Sequence, residues 1–115
     1  MDAYFNGMGT VDMKSGLTSY QDELLVILSE ECGETVQEIC KIMRFGAGEA
    51  SHHVIGKTHI QCLTQELGDL LAMIELVKDS GVGISNDLLQ EAKQKKLEKV
   101  VKWMTNTKTI SYENK

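Results

Sequence analysis

The stretch LSEECGETVQEIC, residues Leu28 to Cys40, decides how this chain reads. Leu28, Cys32, Val36 and Ile39 recur at helical spacing, yet Glu30, Glu31, Glu34 and Glu38 crowd the same turns. Like charges three and four positions apart on a helix repel by about 0.2–0.5 kcal/mol per pair. A helix that accepts this either solvates the face or meets a cation there.

Outward from this stretch, the pattern predicts a helix from about Tyr20 to Arg44, with Thr18 or Ser19 as N-cap. At about 100° per residue, Leu25, Leu28, Cys32, Val36, Ile39 and Met43 fall in one sector roughly 80° wide, the expected core stripe. Glu31, Glu34 and Glu38 share a different face, bracketed by Leu24 and Ile27 one turn earlier and Ile42 one turn later. FGAGEASHHVIGK, Phe45 to Lys57, is a Gly-rich loop. A second helix fits Thr58 to Lys78 and ends at SGVG, with Ile60, Leu63, Leu67, Leu70, Ile74 and Val77 as its core stripe. Glu66 and Asp69 border that stripe with Cys62, Met73 and Leu76 beyond them, whereas Gln61, Gln65 and Glu75 mark the wet face. Carboxylates set in apolar surface need neutralising, pairing or a metal. Ser85 caps a third helix to about Met104, with Leu89, Ala92, Val100 and Trp103 as its stripe.

The expected fold is all-α: two long helices and a third in antiparallel packing. Residues 1–19 read as an irregular arm, 20–104 as one helical domain and 105–115 as a polar tail. A chain of 115 residues buries only about two-thirds of its unfolded surface, which favours self-association. The net charge of −5 argues against nonspecific nucleic-acid binding. Cys32, Cys40 and Cys62 are odd in number and lack CxxC spacing, so they read as small core or part-buried residues in a reducing compartment. No apolar run approaches the roughly 18 residues of a membrane span, and no signal-peptide pattern opens the chain; the expectation is a cytoplasmic protein with no membrane partner.

The two acid pairs, Glu31 with Glu34 and Glu66 with Asp69, each lie one turn apart on one helical face. Four inward oxygen ligands suit Mg²⁺ or Mn²⁺ rather than zinc. The bland alternative is a solvated charge run on the first helix and ordinary ion pairs on the second. Lys96 falls inside the third helix's apolar stripe, either as a snorkelling stem or as a phosphate contact. Lys41 and Arg44, near the end of the first helix, are either dipole-favoured cations or further phosphate contacts.

EECGE, Glu30 to Glu34, followed by ELGDLL, Glu66 to Leu71, resembles the signature of the MazG-like all-α nucleoside triphosphate pyrophosphohydrolases: EExxE, a spacer, then ExxD. KKLEKV, Lys95 to Val100, is similar to that family's lysine-bearing last helix, and the likeness spans about residues 20 to 103. The resemblance implies a homodimer or homotetramer whose paired helices make four-helix bundles. It implies Mg²⁺, with Mn²⁺ able to substitute, on Glu31, Glu34, Glu66 and Asp69. The implied reaction hydrolyses a nucleoside triphosphate, NTP or dNTP, to the monophosphate and pyrophosphate. Glu30 or Glu34 would take the proton of the attacking water, and Lys96, Lys41 and Arg44 would hold phosphates. The spacer from Glu34 to Glu66 is longer than in compact members.

Three other readings are open. His52, His53, His59 and Cys62 invite a zinc site, and Glu49 to His52 spells the ExxH of di-iron bundles, in a single copy within a Gly-rich stretch. The chain could be a non-enzymatic helical interaction module. A phosphoribosyl-ATP pyrophosphohydrolase is also small and helical, with acid motifs that differ in detail from ELGDLL.

Overall fold

A computed structural model describes residues 10–51 and 54–104. The arm is thus described only from Thr10, and His52, His53 and the tail from residue 105 lie outside the described residues. Among the described residues the fold is all-α, with three helices: α1 (Ser19–Phe45), α2 (His59–Lys78) and α3 (Asn86–Trp103). The only β-type pairings among the described residues are the isolated bridges Val11 to Thr18 and Ala50 to Thr58.

Each helix starts where its cap dictates. Thr18 and Gln21 form a reciprocal capping box: the Gln21 amide donates to Thr18 Oγ1 at 3.1 Å, and the Thr18 amide to Gln21 Oε1 at 3.0 Å. Thr58 and Gln61 repeat it at 3.2 and 2.8 Å. Ser85 Oγ accepts from the Leu88 amide at 3.2 Å and opens α3. Gly46 ends α1 at φ 101°, a conformation that disfavours a side chain, and donates to the Ile42 carbonyl at 2.8 Å. The loop then serves α2: the His59 and Ile60 amides donate to the Glu49 and Ala47 carbonyls, each at 2.9 Å.

The chain forms two compact units, one within Met1–Val82 holding α1 and α2, the other within Gly83–Lys115 holding α3. In the first unit the helices run antiparallel. Gln21 Nε2, at the start of α1, donates to the Ser80 carbonyl after α2 at 2.8 Å. At the other end, the Phe45 and His59 rings stack with centroids 5.6 Å apart. Leu24, Met73 and Val77 form the core, with Ile27, Leu28 and Val82 packed against it.

The faces differ from the expected ones. Of the stripe expected on α1, only Leu28 is half-buried; Leu25, Cys32, Val36 and Ile39 are exposed, and Met43 is 81% exposed. On α2 the expected stripe is covered in part: Val77 is buried and Leu63, Leu70 and Ile74 are half-buried, but Ile60 and Leu67 are exposed, while Cys62 and Met73, placed beyond that stripe, are buried. Each helix therefore turns its acid-bearing face to the other: Leu24, Glu31, Thr35 and Glu38 on α1 meet Cys62, Glu66, Met73 and Val77 on α2. Both helices carry two apolar faces, and a two-helix pair has room to bury one on each. Cys32 and Cys40 are exposed, against the expectation of core or part-buried positions; Cys62 is buried. On α3 no residue is fully buried, and Trp103 is 78% exposed. No described helix is long and apolar enough to cross a membrane.

Candidate metal centre

Glu31 and Glu34 leave α1 one turn apart, and Glu66 leaves α2 opposite them. One carboxylate oxygen from each lies within 4.8 Å of the others. Glu31 and Glu66 are half-buried, Glu34 exposed, so the cluster is open on Glu34's side. Glu31 Oε1 and Glu66 Oε2 are shut off from solvent and face no donor among the described residues other than a neighbouring carboxyl. A carboxylate oxygen so placed is costly unless something positive faces it.

The carboxyls already respond to their crowding. Burial, and then the charges of Glu34 and Asp69, raise the Glu31 carboxyl above its ordinary value. Glu66 is pushed up to about 7, first by burial, then by a hydrogen bond with Glu34, and then by the charges of Glu34, Glu31 and Asp69. Near neutrality the Glu66 carboxyl thus keeps a proton for part of the time and shares it with its neighbours.

Of the residues expected in the site, three converge and the rest lie around or away from them. Asp69 is half-buried and near enough to raise both Glu31 and Glu66, but its Oδ1 accepts from Gln65 Nε2 at 3.1 Å, and it stands beside the cluster rather than in it. Glu30 is exposed and raises the Glu31 carboxyl less than Glu34 and Asp69 do. Lys41 Nζ pairs with Glu38 Oε2 at 3.0 Å. Arg44 lies over the Phe45 ring, 5.1 Å from its centroid. Lys96 is exposed on α3, in the second unit. The one group of three or more acidic, histidine or cysteine ligands that converges among the described residues is the glutamate trio. Buried His59 and Cys62 add no second one; His59 stacks on Phe45 instead.

Compared with protein-family models, curated proteins and solved structures, the chain gives no match.

The site must therefore be weighed on its donors. Three carboxylates with two solvent-shielded oxygens and no nitrogen or sulfur fit a hard divalent cation such as Mg²⁺ or Mn²⁺ and fit zinc poorly. Sequence reasoning gave Glu38 no role of its own, although it placed Glu38 on this face. The signal lay in its spacing from Lys41: an acid and a base at i, i+3 on a face shared with the trio.

Proposed function

We propose that this chain is a Mg²⁺-dependent nucleoside triphosphate pyrophosphohydrolase, cleaving the α–β bridge of an NTP or dNTP to give the monophosphate and pyrophosphate. The observation that carries this reading is the convergence of Glu31 and Glu34 from the first acid motif with Glu66 from the second. Glu31, Glu34 and Glu66 would hold the cation, with Asp69 beside them. When bound, Mg²⁺ supplies charge neutralisation for the triphosphate and a more acidic water. The chain's own residues supply the rest. Glu30, exposed next to the cluster, and Glu34, on its open side, are the proton acceptors within reach of the attacking water. Lys41 and Arg44 lie along the same helix toward the loop and would receive phosphates.

The exposed stripes support a second copy of the chain. On each helix they lie about 100–130° around from the α1–α2 contact. Because the helices are antiparallel, both offsets turn toward the same side, so Leu25, Val36, Ile39 and Met43 share one apolar surface with Ile60, Leu67 and Leu71. Covering it with the same surface of a second chain gives a four-helix bundle, as a homodimer or, doubled again, a homotetramer. That surface also favours the other reading, a non-enzymatic module that docks a different helical partner.

Pyrophosphate release from a panel of canonical and modified NTPs and dNTPs separates the two. Release that needs Mg²⁺ or Mn²⁺, stops with EDTA and yields matching monophosphate supports the enzyme. Silence across the panel from a folded chain moves the reading to the docking module.

A further inference from the structure

In the ion pair between Glu38 and Lys41 both side chains are largely covered, whereas in the Lys78–Asp79 pair the acid is exposed and in the Lys95–Glu91 pair both partners are. Lys41 Nζ lies 3.0 Å from Glu38 Oε2, with the lysine side chain 24% exposed and the glutamate 15%. The Lys95–Glu91 pair on α3 is 69% and 56% exposed, the ordinary condition of pairs that contribute little. Glu38 also keeps its second oxygen, Oε1, shut off from solvent and without a hydrogen-bond partner among the described residues. Removing the cation from such a carboxylate strands a buried charge. This arrangement favours one place for the Lys41 ammonium, beside Glu38. An ammonium has three N–H donors, and Glu38 takes one of them. Glu38 follows Glu34 by four positions, so the pair sits about one helical turn, roughly 5.4 Å, along α1 from the carboxylate trio. That separation fits a phosphate chain held at one end by the trio's cation.

We propose that Glu38 is a positioning residue. It anchors the Lys41 ammonium one turn from Glu31, Glu34 and Glu66, so that the remaining N–H donors meet the phosphate oxygens of a ligand carrying a pyrophosphate group. The inference rests on the pyrophosphohydrolase reading above and adds to it which residue sets the position of the phosphate contact.

The test is calorimetric binding of inorganic pyrophosphate at fixed Mg²⁺, which needs no turnover. It uses the full chain as wild type, Glu38→Gln, Glu38→Asp, Lys41→Met and the Glu38→Gln/Lys41→Met double variant, with helicity checked by circular dichroism. Anchoring predicts that Glu38→Gln and Glu38→Asp each weaken binding about tenfold, the value of one charge-assisted hydrogen bond. It also predicts that the double variant binds no worse than Lys41→Met alone, because Glu38 acts through Lys41. Tighter binding by Glu38→Gln would show that its charge only repels the anion and would overturn the proposal. So would wild-type affinity in Glu38→Asp, or losses that add in the double variant. A wild-type chain that binds neither Mg²⁺ nor pyrophosphate overturns the parent reading as well. Binding by the wild type with additive losses overturns this inference alone.

Discussion

Replacing Glu66 by Gln separates a carboxylate kept for a cation from one kept for structure. The Glu66 oxygen lies within 4.8 Å of oxygens from Glu31 and Glu34. Two unit charges at that distance repel by about 1 kcal/mol in bulk water and about 3.5 kcal/mol at an effective dielectric constant near 20. A rise from 4.5 to about 7 corresponds to about 3 kcal/mol at roughly 1.4 kcal/mol per pH unit. Glu66 is only half-buried, and solvent screening brings the net cost to about 1–2 kcal/mol. Because its value in the folded chain lies above the ordinary one, the folded state binds the extra proton between about pH 4.5 and 7. Unfolding free energy in EDTA therefore falls as pH rises through that window and levels off above it. Glu66→Gln carries no such charge at any pH. It should match the wild type near pH 5 and be about 1–2 kcal/mol more stable near pH 8, a rise in melting temperature of several degrees or more.

Urea denaturation followed by circular dichroism, at both pH values, measures this directly. Adding Mg²⁺ should reverse the order at pH 8: a cation at a hundred times its Kd adds about 2.7 kcal/mol to the wild type, while the Gln variant, missing a ligand, gains little. A Gln variant less stable than wild type by the same amount at both pH values would refute the reasoning, since it would mean that Glu66 supports the fold through an ordinary bond.

The other expectations are narrower. Glu34→Gln should abolish turnover with helicity intact, whereas Asp69→Asn, changing a residue beside the trio, should cost about 10–100-fold in Mg²⁺ affinity by calorimetry; full activity in either would remove that residue from the site. Gly68, in the second acid motif, has nothing within 4 Å of where a Cβ would stand, so Gly68→Ala should stabilise α2 by about 0.5–1 kcal/mol in urea melts, and a loss instead would place a neighbour there. Val77→Ala, at 2% exposure, should cost about 2 kcal/mol at any protein concentration. Val36→Asp, on the exposed stripe, should leave a dilute chain folded yet abolish self-association in sedimentation, and unchanged association would remove that stripe from the interface.

The helix limits were legible because their chemistry is local. Thr18 with Gln21, Thr58 with Gln61, and Ser85 before Leu88 set starts that need nothing beyond four residues, and Gly46 sets a stop. The orientation of the helices was not legible, and the reason is the composition of their faces. Periodicity locates apolar sectors without saying what covers them, and α1 and α2 each have two. The richer sector, with Leu25, Val36, Ile39 and Met43, looks like the core by count, yet Leu24, Thr35, Met73 and Val77 make the contact within the chain. The acids could be recognised from their spacing, but their meeting across the helix pair required the register, which Gln21 to Ser80 at one end and Phe45 to His59 at the other hold in place. This division has a functional logic. The trio is assembled by elements of one chain, so on the proposed reading a cation would bind without a partner, while the face left exposed is the more apolar one and would meet a second copy. A Val36→Asp chain that no longer associates should accordingly keep its Mg²⁺ affinity. If that affinity disappears with the dimer, the trio is being held together from outside the α1–α2 pair, and the core around Leu24 and Val77 is not what positions it.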